Sequence, residues 1–181
     1  TYFHHQSLIG WYVLAALATT PCGDALSIDA WLRAGRGRPP VERPPAAYAW
    51  GRYLCWTALA MPYFLAGLSK LRNGGLGWWS PDSLRGKVLR DSLQKGVFER
   101  SLGLDFAAAP DALFAAIGIG TLVLEVAFPL VLFSRRARPW LALGAVGLHL
   151  GILGFQNFLF VDAFLMQAIL VDWRRLGAAD F

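Results

Sequence analysis

Apolar residues along this 181-residue chain gather into five long runs, with polar residues between them. The first run covers about 3–20 and stops at Pro21 and Gly23. The second covers about 48–71 and ends in the string AGLSKL; the third, about 111–133, opens after Pro110. The fourth, about 139–156, opens at Pro139, and the fifth, about 157–173, closes at Trp173 before Arg174 and Arg175. Each approaches the ~20 residues that carry a helix across a hydrocarbon layer, the first, fourth and fifth at the short end. Helix is the expected form, because an open strand leaves backbone donors and acceptors unpaired in lipid. The pattern predicts an all-α polytopic transmembrane bundle of about five spans, one domain over 1–181.

Two connecting segments carry structure of their own. Ser80, Pro81 and Asp82 make a helix start: an N-cap, a proline at the first helical position and an acid in the first turn. Leu84, Val88, Leu89, Leu93, Val97, Phe98 and Leu102 follow at helical spacing, with Arg85, Lys87, Arg90, Asp91, Lys95 and Glu99 on other faces. That predicts an amphipathic helix over about 81–104, lying on the membrane face or capping the bundle, with Trp78 and Trp79 at headgroup level. Between the first two runs, DALSIDAWLR is expected to form a short amphipathic helix. RAGRGRPPVERPP is expected to form a stiff basic connector against anionic headgroups.

Composition supports the membrane reading. Hydrophobic residues make up 56% and charged residues 16%, against about 25% charge in soluble domains. The net charge is +5, but the arginines do not form a nucleic-acid-binding face. Arg33, Arg36, Arg38 and Arg43 fill one connector, Arg135, Arg136 and Arg138 another, and Arg174 and Arg175 follow the last run. Alternating spans bring all three groups to one side, which the positive-inside bias makes cytoplasmic. Residues 72–110 then face outward. Cys22 and Cys55 fall toward the cytoplasmic side and are expected to stay reduced. The chain begins at Thr1, so a helix upstream is left open.

Ionisable residues within apolar runs are expensive and tend to face a protein interior or a wet cavity. Lys70 ends the second run; it is either a snorkelling anchor or a desolvated amine able to act as a base. Ala66 and Gly67 before it permit a close helix approach. Glu125 lies too deep to snorkel, and Pro129 four residues on denies its carbonyl a helical partner and predicts a kink. It is either a structural acid or part of a cavity wall. His149 lies mid-run, with Ala145, Ile152 and Gln156 on its face and Gly144, Gly147, Gly151 and Gly154 as a small-residue stripe suited to helix packing. It is either a hydrogen-bonded core histidine or a site residue. Asp162 sits near the outer end of the fifth run, and His4 and His5 open the first at the same level. By depth, His5, Lys70, Gln156, Asn157 and Asp162 are expected to surround one outward-facing cavity, with Glu125 and His149 as its floor, and His4, Gln156, Asn157 and Asp162 are its candidate cofactor-binding residues. No metal site is expected, and no nucleotide-binding, serine-hydrolase or zinc-protease motif is present.

The strings FHHQSL, DALSIDAWLR, PYFLAGLSKLRNGGLGWWS, LVLEVAFPLVLFSRR and GLHLGILGFQNFLF occur in this order. Together they resemble the HTTM (horizontally transferred transmembrane domain) family, the membrane module shared by vitamin K-dependent gamma-glutamyl carboxylases and bacterial proteins. The resemblance runs from His4 to about Trp173. It implies that Lys70 is the base acting on a quinol, that His5 and His149 stabilise charge, and that Glu125 matches a family acid. His4 stands where the carboxylase has Asn, and Gly151, Ile152 and Leu153 replace its polar residues, so glutamate carboxylation itself is not implied. The implied cofactor is a quinone or quinol; the implied location is a bacterial inner membrane. Two further readings stay open: a non-enzymatic accessory subunit among other membrane subunits, and, more weakly, a transporter.

Overall fold

The computed structural model describes residues 8–24, 27–93, 97 and 102–172. Among them the chain is helix and turn, without a strand. The helices are α1 (Leu8–Ala18), α2 (Ile28–Gly35), α3 (Ala46–Gly74), α4 (Pro81–Ser92), α5 (Leu102–Phe106), α6 (Asp111–Ala127), α7 (Leu130–Phe133), α8 (Ala137–Gln156) and α9 (Val161–Leu165). α9 tightens into a 3-10 turn over Met166–Leu170.

Helix α3 is the central post. α1 runs antiparallel to it: Thr20 lies against Gly51, and Val13 and Ala16 cluster with Cys55. α6 and α7 also descend, so that Gly67 meets Glu125 and Val126 while Tyr63, one turn lower, stacks on Phe128 with ring centres 4.1 Å apart. α8 ascends from Arg138, whose guanidinium sits 3.7 Å above the Trp56 ring, to His149 beside Tyr63. The last arm descends again, and Trp56 Nε1 donates to the Ile169 carbonyl at 3.2 Å. The five apolar runs therefore alternate in direction. Their basic connectors collect at one end, where Arg43 pairs with Asp24 at 2.6 Å and Arg135 with Asp172 at 3.7 Å.

Not every run becomes a helix of spanning length. Among the described residues, α3 and α8 are long and apolar enough to cross a membrane, at roughly 43 Å and 30 Å. The third run is divided because Pro129 has no N–H. Phe128 N bonds instead to the Glu125 carbonyl at 3.4 Å, ending α6, and α7 begins at Leu130. The fifth run does not start as a helix: Asn157 takes a left-handed conformation (φ 54°) that terminates α8, and helix resumes only at Val161. The first run is helical over Leu8–Ala18, and residues 1–7 lie outside the described part.

The amphipathic segment also differs from expectation. Ser80 caps α4 as its sequence predicts, its hydroxyl accepting from Ser83 N at 3.3 Å. The helix ends at Ser92, however, and does not reach 104. The chain folds onto the end of α8: Ser92 Oγ donates to the Phe155 carbonyl at 3.1 Å, and Val97 N to the Asn157 carbonyl at 3.1 Å. α4 serves as a cap on the bundle, with Leu84 over Gly118 and Arg85 hydrogen-bonded to the Ala107 and Ala109 carbonyls. At the opposite end, Ser27 Oγ accepts from Ala30 N at 3.0 Å and starts α2, whose Ile28 and Trp31 are exposed. The proline-rich connector is held by Asp24, which accepts from Arg43 Nε at 2.6 Å and from Tyr48 OH at 3.0 Å.

A Cβ on Gly67 would lie 3.0 Å from Val126 Cγ2, 3.1 Å from Glu125 Cβ and 3.2 Å from Val126 N. Gly67→Ala should therefore push α6 away and cost about 1–3 kcal/mol by overpacking. Gly86→Ala, with open space around it, serves as the control. Thermal unfolding in detergent checks this; equal midpoints for wild type and Gly67→Ala would refute the close approach.

The Arg43 guanidinium bonded to Asp24 holds its carboxyl below the usual range, against the opposing effect of burial. A carboxyl whose pKa is lower in the folded state contributes stability above its unfolded pKa and loses that contribution as pH falls through its folded value. At neutral pH the connector in Asp24→Asn should be cut faster than in wild type. The two should converge only as pH falls below the usual carboxylate range, through the lowered folded value. Limited proteolysis with an acid-active protease across that range measures the ratio.

Candidate functional site

Two polar groups of side chains are built on one face of α3, two helical turns apart. Seven residues separate Tyr63 from Lys70, about 10.5 Å along the axis, and that spacing returns both to the same face. The upper group is an ion pair. Lys70 Nζ donates to both carboxylate oxygens of Glu125, at 2.5 and 2.7 Å. Glu125 is 5% exposed, and the ammonium also lies 5.1 Å from the Trp78 ring centre. The pair exists because Gly67, one turn below Lys70, admits α6 to backbone contact. The break at Pro129 ends α6 just beyond it.

The lower group is a hydrogen-bonded chain. Gln167 Nε2 donates to Ala163 O and to Tyr63 Oη, each at 2.8 Å. Tyr63 Oη lies 2.6 Å from His149 Nε2. His149 and Gln167 are 7% and 4% exposed. Phe128 stacks on Tyr63, and the Phe160 ring centre is 5.4 Å from that of His149. Among the described residues, His149 Nδ1 and Gln167 Oε1 are buried without a hydrogen-bond partner.

A cavity of about 920 Å³ joins the two groups, with Tyr63, Lys70, Glu125 and His149 in its lining. Trp78 and Lys87 line it beside the ion pair, and Gln156 near the end of α8. The rest of the wall is almost wholly apolar. The glycine stripe of α8 has a different role from the one its spacing suggests. Only Gly144 is closely met, by Leu124, while a Cβ on Gly147 would meet nothing within 4 Å. Gly144, Gly147 and Gly151 line the cavity, so absent side chains create the space.

The structure thus brings Lys70, Glu125, His149 and Gln156 to one cavity. Asn157 does not line it: the residue is buried at the end of α8, and its carbonyl accepts from Val97 N. Asp162 does not line it either; it is partly buried beside Gly10 of α1. His4 and His5 lie outside the described residues. Tyr63 and Gln167 were not marked by the sequence. Tyr63 carries a detectable signal, a hydroxyl seven residues before Lys70 on the same helical face. Gln167 carries none, since its partner Tyr63 is 104 residues away. Among the described residues no group of three metal-ligating side chains occurs. Compared with known protein families, curated proteins and solved structures, the chain matches none.

Removing one member of a buried ion pair strands the other charge, at a cost of about 3–5 kcal/mol. Lys70→Met and Glu125→Leu should each destabilise the protein by that order. The double variant should recover most of the loss. A double-mutant cycle from chemical denaturation measures it; additive losses would show that the pair is not coupled.

Proposed function

We propose that the chain is a membrane-embedded module that binds an apolar, hydroxyl-bearing ligand of the quinol type and removes its proton at the Lys70–Glu125 pair. The observation that carries this reading is a buried ion pair opening into a large, apolar-walled cavity. A structural ion pair needs no cavity beside it. An apolar cavity with a few convergent polar groups is the usual form of a small-molecule site.

The proton account is short. The ion pair can hold its internal proton on nitrogen or on oxygen. With the proton on Glu125, the free Lys70 amine accepts the ligand O–H proton. The products are a Lys70 ammonium, a protonated Glu125 and a ligand oxyanion beside the ammonium. Little solvent competes there, so the ammonium stabilises the oxyanion more than it would in water. Lys70 as the base is also the role implied by the likeness to the vitamin K-dependent carboxylase membrane module.

Membrane embedding is supported by the two helices of spanning length, by the alternating runs and by the outward Trp11, Phe133 and Trp140. We place the Arg-rich end in the cytoplasm on the charge rule alone. The α4 cap and the ion pair then belong to the outward half.

1-Naphthol is a suitable probe, because its neutral and ionised forms absorb differently. Bound to the wild type at neutral pH, it should be ionised. The charge-neutral double variant Lys70→Gln/Glu125→Gln should still bind it within a few-fold but leave it neutral. A wild type that binds the probe without ionising it overturns the proton-transfer reading.

A further inference from the structure

The geometry points to His149 as a hydrogen-bond donor, preset through Nδ1–H, for a carbonyl oxygen of the molecule that occupies the cavity. The argument follows the protons along the lower polar group. The Ala163 carbonyl can only accept, so the Gln167 atom facing it is the NH2 group. The same NH2 donates its second hydrogen to Tyr63 Oη. The Tyr63 hydroxyl has one proton, and among the described residues His149 Nε2 is the partner that can accept it, at 2.6 Å. The opposite arrangement, with Nε2–H donating to Tyr63, would leave a buried hydroxyl proton and the Nδ1 lone pair both unmatched. A neutral imidazole that accepts at Nε2 carries its proton on Nδ1. Among the described residues that Nδ1 is buried without a partner, as is Gln167 Oε1, and the histidine is 7% exposed and lines the cavity.

An orphaned buried donor costs free energy that an acceptor restores. The surroundings say what kind of acceptor fits. Aromatic rings lie around the lower group, Phe128 stacked on Tyr63 and Phe160 against His149. Leu148 and Ala163 add apolar surface to the cavity wall. Among the described residues no cationic side chain is paired with His149. A flat, uncharged ring bearing a carbonyl suits this environment better than a carboxylate or phosphate. Gln167 and Tyr63 are positioning residues, because they set which nitrogen of His149 carries the proton.

The inference rests on the cavity being a ligand site, but not on proton transfer at Lys70. It is tested by 15N NMR of protein labelled at histidine, of which the chain has three; the His149→Gln spectrum assigns the His149 signals. The wild type at neutral pH should show the Nδ1-protonated tautomer. 1,4-Naphthoquinone should shift the Nδ1 resonance, and naphthalene, the same shape without oxygens, should not. The quinone should also bind roughly five- to tenfold tighter than naphthalene, the worth of one hydrogen bond. In Tyr63→Phe the tautomers should mix and that preference should shrink. A wild type protonated on Nε2, or one that binds both probes equally, overturns the inference. If naphthoquinone shifts Nδ1 while 1-naphthol stays neutral, the carbonyl site stands and proton transfer at Lys70 fails. If neither naphthoquinone nor naphthalene binds, both readings fall.

Discussion

The approach of α6 to α3 at Gly67 is the constraint from which the rest of the site follows. A Cβ there would sit 3.0–3.2 Å from Val126 and the Cβ of Glu125, tighter than ordinary packing, so α6 would have to give. At that separation the lysine one turn above reaches both oxygens of a carboxylate on the facing helix. The ion pair in turn makes the buried acid tolerable, because a single charge at that depth would be far more costly than a matched pair. One missing side chain on α3 thus licenses two charged ones in the interior. The cavity uses a related device on α8, where Gly147 leaves room that no neighbour fills.

What the sequence revealed depended on how local each feature is. The start of α4 was legible because Ser80, Pro81 and Asp82 act on their own first turn. The interruption after Glu125 was legible because a missing N–H at Pro129 is a property of one residue. The end of α4 was not, because the stop comes from α8: the Phe155 carbonyl takes the Ser92 hydroxyl, and the Asn157 carbonyl takes Val97 N. The glycines of α8 divide for a related reason: Gly144 packs closely against Leu124, whereas Gly147 faces open space. Small residues are compatible with tight packing and with empty space, and only the neighbours decide which. Lys70 and Glu125 could be flagged singly as anomalous in apolar runs, but not paired, being 55 residues apart.

The broken helices belong to the same design. Pro129 and Asn157 interrupt the third and fifth runs, and each break lies close to a polar group of the site. A helix end frees backbone groups and changes the direction of the chain, and within a membrane such irregularity is tolerated where protein or a cavity covers it. Both breaks adjoin the cavity wall, which includes Glu125 and Ala127 before the first and Phe160 after the second.

Arg138 shows that the basic end is more than a topological label. The end of the short α7 exposes carbonyls that the helix no longer satisfies. Arg138 Nε donates to one of them, that of Val131, at 2.7 Å. Its guanidinium carbon at the same time lies over Trp56, 3.7 Å from the ring centre. Trp56 in turn donates its indole proton to Ile169 on the last arm. One arginine thereby ties the end of α7, the start of α8, the post α3 and the returning arm. A lysine could supply the same charge to the loop, but not a planar group that stacks on an indole while donating in its own plane. The residue that the charge rule counts only for its charge contributes to packing by its shape.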